Sequence, residues 1–85
     1  LAEIVAAYHD EGTKVGIQLA HAGRKASAAT PFEGAQPLPA DDPRSWHSVA
    51  PSAIAFGAGW QVPQALDAAG IARVIEAFAD AARRA

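Results

Sequence analysis

The polar side chains best suited to chemistry lie close together, in the run from Gln18 to Lys25. The amide of Gln18 offers one acceptor and two donors in one plane, which suits the imide-like edge of a heterocycle. Arg24 and Lys25 are permanent cations that could hold an anionic group, a carbonyl oxygen or a phosphate. His21 could donate a proton, because imidazole titrates near neutral pH. These residue types favour a site for a planar or anionic ligand.

Each of these side chains also has an ordinary structural interpretation. A glutamine at a strand end is commonly solvated or bonded to the backbone, and a histidine there is commonly packed. Trp46 could cover a planar ligand, although we favour a role in which it plugs the loop onto the body of the protein. The two cations could instead form ion pairs, and spacing alone leaves both interpretations open. The acidic residues of the same loop are Glu33, Asp41 and Asp42.

Several other kinds of site are excluded or disfavoured. The chain has no cysteine, so a thiolate zinc site, a disulfide and a catalytic thiol are all excluded. Gly57 and Gly59 lack the third glycine and the helix start of a phosphate-binding loop. The histidines are too widely spaced to predict a metal site; they are His9, His21 and His47.

The elements that position this cluster follow from the spacing of apolar residues. A helix is predicted from Leu1, with Gly12 as its C-terminal stop, because apolar side chains recur there every three or four positions. A second helix is predicted over Ile71–Ala82, with Asp67 as its N-cap. Alternation predicts a short strand at Lys14–Leu19, with Gln18 on the face opposite the larger apolar residues.

A long segment rich in proline and glycine separates this strand from the second helix. Residues 21–64 are expected to be irregular, with short extended pieces at Ser48–Val49 and Ala53–Phe56. Helix, strand, long loop and helix is the order of a β/α protein with a parallel sheet. Ligands in such folds bind at the C-terminal ends of strands, which is where the polar cluster lies. The sequence therefore predicts an α/β fold with a functional loop.

Composition narrows the class of protein further. The 85 residues carry a formal net charge of −2, which argues against a nucleic-acid surface. No apolar run approaches the roughly 18 residues of a membrane span, and no basic leader is evident, so a cytoplasmic protein is expected. Of the hydrophobic residues, 23 are alanines and only 20 are larger, which is a poor core for an independent domain. Because both helices look incomplete, we expect an internal piece of a larger protein.

The run Gly16-Ile17-Gln18-Leu19-Ala20-His21-Ala22-Gly23-Arg24-Lys25-Ala26 resembles the third-strand motif of the Old Yellow Enzyme family of FMN-dependent ene-reductases. The bacterial xenobiotic-reductase-like branch is the most similar. Further similarity to that branch covers most of the remaining chain. It includes Ala40-Asp41-Asp42, Trp46, Ala50–Gly57, Ile71–Phe78 and Asp80–Ala85.

The resemblance implies a fold, a reaction and two site residues. Residues 1–85 would be a partial FMN-binding domain, incomplete at both ends, from a (β/α)8 TIM barrel whose third strand is Lys14–Leu19. FMN would be the cofactor, NADPH or NADH the reductant, and the C=C bond of an α,β-unsaturated carbonyl the group reduced. Gln18 matches a glutamine that hydrogen-bonds the pyrimidine edge of the flavin, and Lys25 matches a lysine close to the substrate cavity. His21, Gly23 and Arg24 match the motif, with a loop-shaping role.

The family's substrate-binding histidine pair and its proton-donating tyrosine have no counterpart in this chain. No catalytic residue is therefore assigned, and the 85-residue piece alone is expected to be inactive. A small-molecule substrate is the expected partner, with neither nucleic acid nor membrane. The oligomeric state of the full-length protein, the natural substrate and the choice between NADH and NADPH do not follow from these residues.

Two further hypotheses stay open. The chain could be a stand-alone α/β interaction module that docks through the apolar stripe of Ile71–Phe78. It could also belong to a different TIM-barrel enzyme whose third strand ends in glutamine.

Overall fold

The computed structural model describes all 85 residues. It contains two α-helices and one two-stranded sheet, in the order α1 (Ala2–Asp10), β1 (Val49–Ala50), β2 (Gln64–Ala65) and α2 (Ala68–Arg84). The chain divides into two compact units, here named the terminal unit (residues 1–20 and 73–85) and the loop unit (residues 21–72). The predicted α/β composition is confirmed, whereas the barrel stays a prediction.

The first predicted helix and its stop are confirmed. Helix α1 is followed by Gly12, whose φ of +69° lies in the left-handed region that favours glycine. The amide of Gly12 donates to the carbonyl of His9 at 2.9 Å, and the amide of Thr13 donates to that of Tyr8 at 2.9 Å. These bonds satisfy carbonyls that the last helical turn leaves free.

The predicted strand at Lys14–Leu19 is wrong as a hydrogen-bonded strand. Residues 13–20 belong to neither a helix nor a sheet. A strand is defined by its ladder to a neighbour, and this chain supplies no partner strand for the segment. The alternating pattern nevertheless has a consequence, because Val15 and Ile17 line an apolar cleft of about 370 Å³ together with Ile4 and Val5 of α1.

The second helix also agrees with the prediction. The Asp67 carboxylate accepts a hydrogen bond from the amide of Gly70 at 2.6 Å, as an N-cap residue does. Near the other end of α2, Arg83 pairs with Asp80 one turn earlier. The apolar stripe of α2 is exposed, at 50% for Ile71 and 64% for Ile75. No helix of the protein is both long enough and apolar enough to span a membrane.

The loop unit contains a small parallel sheet, of which the sequence predicts the first strand and not the second. Strand β1 pairs with β2, with Val49 opposite Gln64 and Ala50 opposite Ala65. The extended piece expected at Ser48–Val49 thus lies one residue further along, while Ala53–Phe56 forms no strand. That second piece is wrong because β1 instead pairs with a segment beyond residue 60, which was not expected to be extended.

Small side chains form the interior of the loop unit. The most buried residues are alanine, serine, proline and glycine, which allow backbone segments to approach closely. They are Ala26, Ser27, Ser48, Ala50, Pro63 and Gly70. Backbone and side-chain hydrogen bonds therefore hold this unit together more than apolar burial does.

Candidate functional site

Gln18 lies in the irregular stretch of the terminal unit. Its side chain is exposed, and none of the side-chain hydrogen bonds of the chain uses its amide. The alternative in which this amide is bonded to the backbone is therefore not observed. All of its donors and its acceptor are available to a ligand.

A tight 3-10 turn over Gly23–Lys25 sets the direction of the two cations in the loop unit. Gly23 has a φ of +59°, which lies in the left-handed region that favours glycine. The amide of Gly23 donates to Nδ1 of His21 at 3.1 Å, and the amide of Ala26 donates to the Gly23 carbonyl at 3.0 Å. His21 thus shapes the turn, and Arg24 and Lys25 extend from it with their side chains exposed.

Both cations face an aromatic ring rather than a carboxylate. The Lys25 Nζ atom lies 4.4 Å from the centroid of the Phe56 ring, and the Arg24 guanidinium carbon lies 6.0 Å from it. Both distances fall within the range of cation–π attraction. Trp60 packs edge-on against Phe56, with 5.2 Å between ring centroids and an interplanar angle of 87°. The ring of Phe56 is therefore held from one side while it attracts the cations.

The cations also line a pocket of about 440 Å³ in the loop unit. One wall is the turn that carries them, and the opposite wall is the segment that follows β1. The lining residues are Ala22, Gly23, Arg24, Lys25, Ala50, Pro51, Ser52 and Ile54. None of these residues is acidic, so the charge of the pocket is positive.

The ion pairs considered for Arg24 and Lys25 are not formed: Asp41 is in no ion pair, and Glu33 and Asp42 bind a different arginine. Arg44 binds Asp42 in a bidentate manner, with Nε–Oδ1 and Nη2–Oδ2 distances of 3.1 and 3.0 Å. Its Nη1 atom also donates to Glu33 at 3.1 Å. We name Glu33, Asp42 and Arg44 the acid–arginine cluster. The i, i+2 spacing of Asp42 and Arg44 is the sequence signal for this cluster.

The cluster perturbs the acid–base equilibria of its members. Hydrogen bonds from the backbone and hydroxyl of Thr30, and then from Arg44, lower the pKa of Glu33. Hydrogen bonds from the side chain and amide of Arg44 lower the pKa of Asp42. The side-chain hydrogen bonds that Arg44 donates to Asp42 and Glu33 raise the pKa of Arg44. All three groups therefore stay charged around neutral pH, and the Arg44 cation offsets one of the two negative charges.

Trp46 is not a plug within this chain, because its side chain is 55% exposed. It lines a cleft of about 550 Å³ together with His47 and Trp60. Its backbone is fixed on both sides: its amide donates to Ser27 Oγ at 3.1 Å, and its carbonyl accepts from Gln61 Nε2 at 3.0 Å. The histidines and acids of the chain form no group of three or more that could hold a metal ion.

Comparison with known proteins identifies the origin of these features. The sequence matches the NADH:flavin oxidoreductase / NADH oxidase family over residues 1–85. The chain belongs to this family. The predicted resemblance to the Old Yellow Enzyme family is thereby confirmed, and so is the cofactor: the family uses FMN, with NADH or NADPH as the reductant.

Individual relatives agree with the family match. An NADH:flavin oxidoreductase, FG08077, of Gibberella zeae is 42% identical over 80 residues, covering 91% of this chain and 19% of that protein. NADPH dehydrogenases of Geobacillus thermodenitrificans and Listeria monocytogenes are 36% and 41% identical over 85 residues, which is 100% of this chain and 20% of each protein. The chain thus spans about a fifth of the length of the curated relatives it matches.

The residues present are compatible with a flavin. The isoalloxazine ring offers an edge of alternating acceptors and donors, and the exposed, unbonded amide of Gln18 carries both kinds of group. An oxidoreductase family of this type acts on small-molecule substrates, for which a pocket lined by cations and apolar side chains is a suitable surface.

Proposed function

We propose that this chain is part of an FMN-dependent ene-reductase, which uses NADPH or NADH to reduce the C=C bond of α,β-unsaturated carbonyl compounds. The observation that carries the proposal is the family match over the whole chain, with a polar run at residues 18–25 in which the Gln18 amide forms no hydrogen bond and the two cations form no ion pair within the chain. When bound, FMN supplies the redox chemistry between the nicotinamide and the activated alkene.

Within this proposal the chain contributes binding and orientation rather than proton transfer. The amide of Gln18 would hydrogen-bond the pyrimidine edge of the flavin and fix the position of the ring. The Lys25 ammonium would line the substrate cavity and polarise an oxygen of the substrate. The loop unit would form a wall of that cavity.

The proposed architecture is a (β/α)8 barrel in which Lys14–Leu19 is the third strand. Exposure supports it: Ile17 is 55% exposed and Ile75 64% exposed, although both are large apolar residues. In a barrel, neighbouring strands and helices would cover such side chains and supply the missing ladder for residues 14–19. For the same reason we expect the 85-residue piece alone to lack a cooperative unfolding transition, tight FMN binding and activity.

The test uses the full-length protein that contains this chain. We expect it to purify with FMN and to oxidise NADPH when cyclohexenone is added, with cyclohexanone as the product. If the FMN-loaded protein oxidises NADPH only with oxygen or quinones as acceptors, the ene-reductase proposal is wrong.

A variant tests the role of Gln18 separately. Gln18→Leu removes the donor and the acceptor with little change in volume, and we expect the Kd for FMN to rise by about five- to tenfold in fluorescence titration of the apoprotein. Gln36→Leu is the matched control, because Gln36 is exposed and its amide bonds only the Gly34 carbonyl. If the two variants bind FMN with equal Kd values, Gln18 does not contact the flavin.

A further inference from the structure

Phe56 has an unusual position among the aromatic residues of the loop unit. Its ring is 45% exposed, yet the side chains of both Arg24 and Lys25 lie on it. An exposed lysine ordinarily samples many rotamers, because its stem is flexible and its ammonium is strongly hydrated. A ring 4.4 Å from the ammonium limits this sampling.

The charge around this ring is not compensated. The acids of the loop that lie in the acid–arginine cluster are occupied by Arg44, and no carboxylate lines the 440 Å³ pocket. A pocket with two cations and no anion of its own attracts an oxyanion from a ligand. The remaining lining is apolar or small, including Pro51 and Ile54, so the rest of the ligand would be a short carbon skeleton.

We propose that the turn at Gly23–Lys25 and the segment Ala50–Ile54 form an oxyanion-binding subsite, and that Phe56 is the positioning residue that holds its Lys25 ammonium in place. The bound group is a carboxylate or a phosphate. In the enzyme it would come from a carboxylate on the unsaturated substrate or from the 2′-phosphate of NADPH. The inference deepens the proposed function and rests on it.

A matched pair of substrates separates charge from shape. β-Acetylacrylate carries an enone and a carboxylate, and its methyl ester has the same reactive skeleton without the charge. We define the acid preference as kcat/KM for the acid divided by kcat/KM for the ester, measured with the full-length protein. The nucleotide preference is the corresponding ratio for NADPH over NADH.

We expect Phe56→Leu to lower one of these two ratios by about two- to fivefold, because it removes the partly exposed cation–π contact of Lys25 at 4.4 Å together with the longer one of Arg24 at 6.0 Å. Phe56→Tyr keeps an aromatic face and should restore the ratio. Lys25→Gln removes the cation itself and should lower the same ratio by about tenfold. Phe32→Leu is the control, because Phe32 is fully exposed at 102% and should leave both ratios unchanged.

Each outcome has one meaning. A fall in the acid preference assigns the subsite to the substrate carboxylate, and a fall in the nucleotide preference assigns it to the nucleotide phosphate. A merely structural role for Phe56 would lower all four kcat/KM values together and leave both ratios intact, which would overturn the inference. If Lys25→Gln lowers one of the two preference ratios and Phe56→Leu lowers neither, the positioning role of Phe56 is wrong.

A measurement without turnover keeps the inference separate from the reaction. Lys14 and Lys25 are the lysines of this chain, so the acetylation rate of Lys25 can be referred to that of Lys14 by peptide mapping. We expect levulinate or inorganic phosphate to protect Lys25 selectively in the full-length protein, and the protection to weaken in Phe56→Leu. Absence of protection by both anions would refute the subsite even if the protein reduces enones. Protection without enone reduction would retain the subsite and refute the proposed reaction.

Discussion

The loop unit contains two groups of charged residues that differ in how their charge is balanced. In the acid–arginine cluster, Arg44 lies 3.0–3.1 Å from two carboxylates, so the positive charge is neutralised within the chain. In the Gly23–Lys25 turn, Arg24 and Lys25 face the Phe56 ring and have no carboxylate. A ring quadrupole attracts a cation without cancelling its net charge. We therefore expect the first group to stabilise the loop and the second, within the proposed subsite, to keep its charge available for a ligand.

The difference shows why counting cations and anions in a sequence is a poor guide to a site. Arg24, Lys25 and Arg44 are similar in the printed sequence, and the same loop carries Glu33, Asp41 and Asp42. Only the geometry of Arg44 allows a bidentate contact, because its fork meets the Asp42 carboxylate two residues away. Three experiments test this difference between the two groups. In order of decreasing expected effect, they remove a hydrogen bond between the two parts of the loop, add a carboxylate to the cationic pocket and protonate the acids of the acid–arginine cluster.

The largest effect is expected on stability, from removing the Ser27 hydroxyl that links the Gly23–Lys25 turn to the segment after Arg44. Ser27 follows the turn closely, is 1% exposed, pairs with the hydroxyl of Ser45 at 3.1 Å and accepts the amide of Trp46 at 3.1 Å. Ser27→Ala leaves that amide without a partner in a partly buried place. We expect the full-length protein to lose about 1–3 kcal/mol of unfolding free energy, measured by urea denaturation.

Ser48 provides the control for this substitution. It is equally buried, but its Oγ atom has no hydrogen-bond partner. Ser48→Ala should therefore leave the unfolding free energy nearly unchanged or raise it slightly, because an unsatisfied buried hydroxyl is removed. Amide exchange at Trp46 should accelerate only in Ser27→Ala. Equal destabilisation by the two substitutions would contradict the assigned role of the Ser27 hydroxyl.

Converting the open charge into a compensated one sharpens the comparison directly. Ser52 lines the cationic pocket opposite the turn. Ser52→Asp would place a carboxylate there and make the pocket resemble the acid–arginine cluster. We expect the affected preference ratio to fall by about tenfold, since the new carboxylate competes with the ligand for the cations.

The neutral analogue Ser52→Asn has nearly the same shape and should retain the preference. A result in which Asn and Asp lower the ratio equally would mean that the pocket discriminates by size. A tenfold difference between the preference ratios of the two variants would show that the pocket discriminates by charge.

Acid titration should give the smallest effect. The pKa values of Glu33 and Asp42 lie below their usual 4.5 and 3.8 in the folded protein. Since a lowered folded-state pKa favours the folded state only where the carboxyl is charged, the contribution is complete above about pH 5 and is lost as the pH falls through the lower, folded-state values. We expect a loss of only a few degrees in Tm, because the cluster is exposed.

Arg44→Gln should flatten this pH dependence below about pH 5. Arg73→Gln is the control: it removes the same charge at a residue of α2 that forms none of the ion pairs of the chain. If both variants keep the wild-type slope, the acid–arginine cluster does not contribute to stability.

Much of the local structure could be predicted from the sequence, because its causes are local. Helix α1 with the Gly12 stop and helix α2 with the Asp67 cap depend on spacing and on neighbours within four residues. The strand predicted at Lys14–Leu19 is not observed. Alternation of apolar residues indicates an extended segment, but it does not show whether a partner strand is present to form the ladder. The β1–β2 pair was missed for the related reason that two residues per strand give no periodicity.

In the candidate site too, local features could be predicted from the sequence and contacts between distant residues could not. The residue types in the run from Gln18 to Lys25 indicated a ligand site, and the family resemblance supplied their expected roles. The contact of Lys25 with Phe56 and that of Arg44 with Glu33 join residues distant in the sequence. Pairings of that kind depend on the path of the loop, which nothing in the local pattern encodes.

The short parallel pair of strands has a consequence for how this enzyme family can change. The β1–β2 ladder joins the two ends of the excursion over residues 51–63, and Gln61 adds bonds to the Ser48 amide and the Trp46 carbonyl. An excursion whose ends are fixed can gain or lose residues at its tip at little entropic cost, about 0.6 kcal/mol for a doubling of its length. Phe56 lies within that excursion. Insertions and deletions there could therefore retune the charge presented to a substrate while the rest of the loop keeps its fold, so this excursion is an exchangeable segment for the evolution or engineering of specificity.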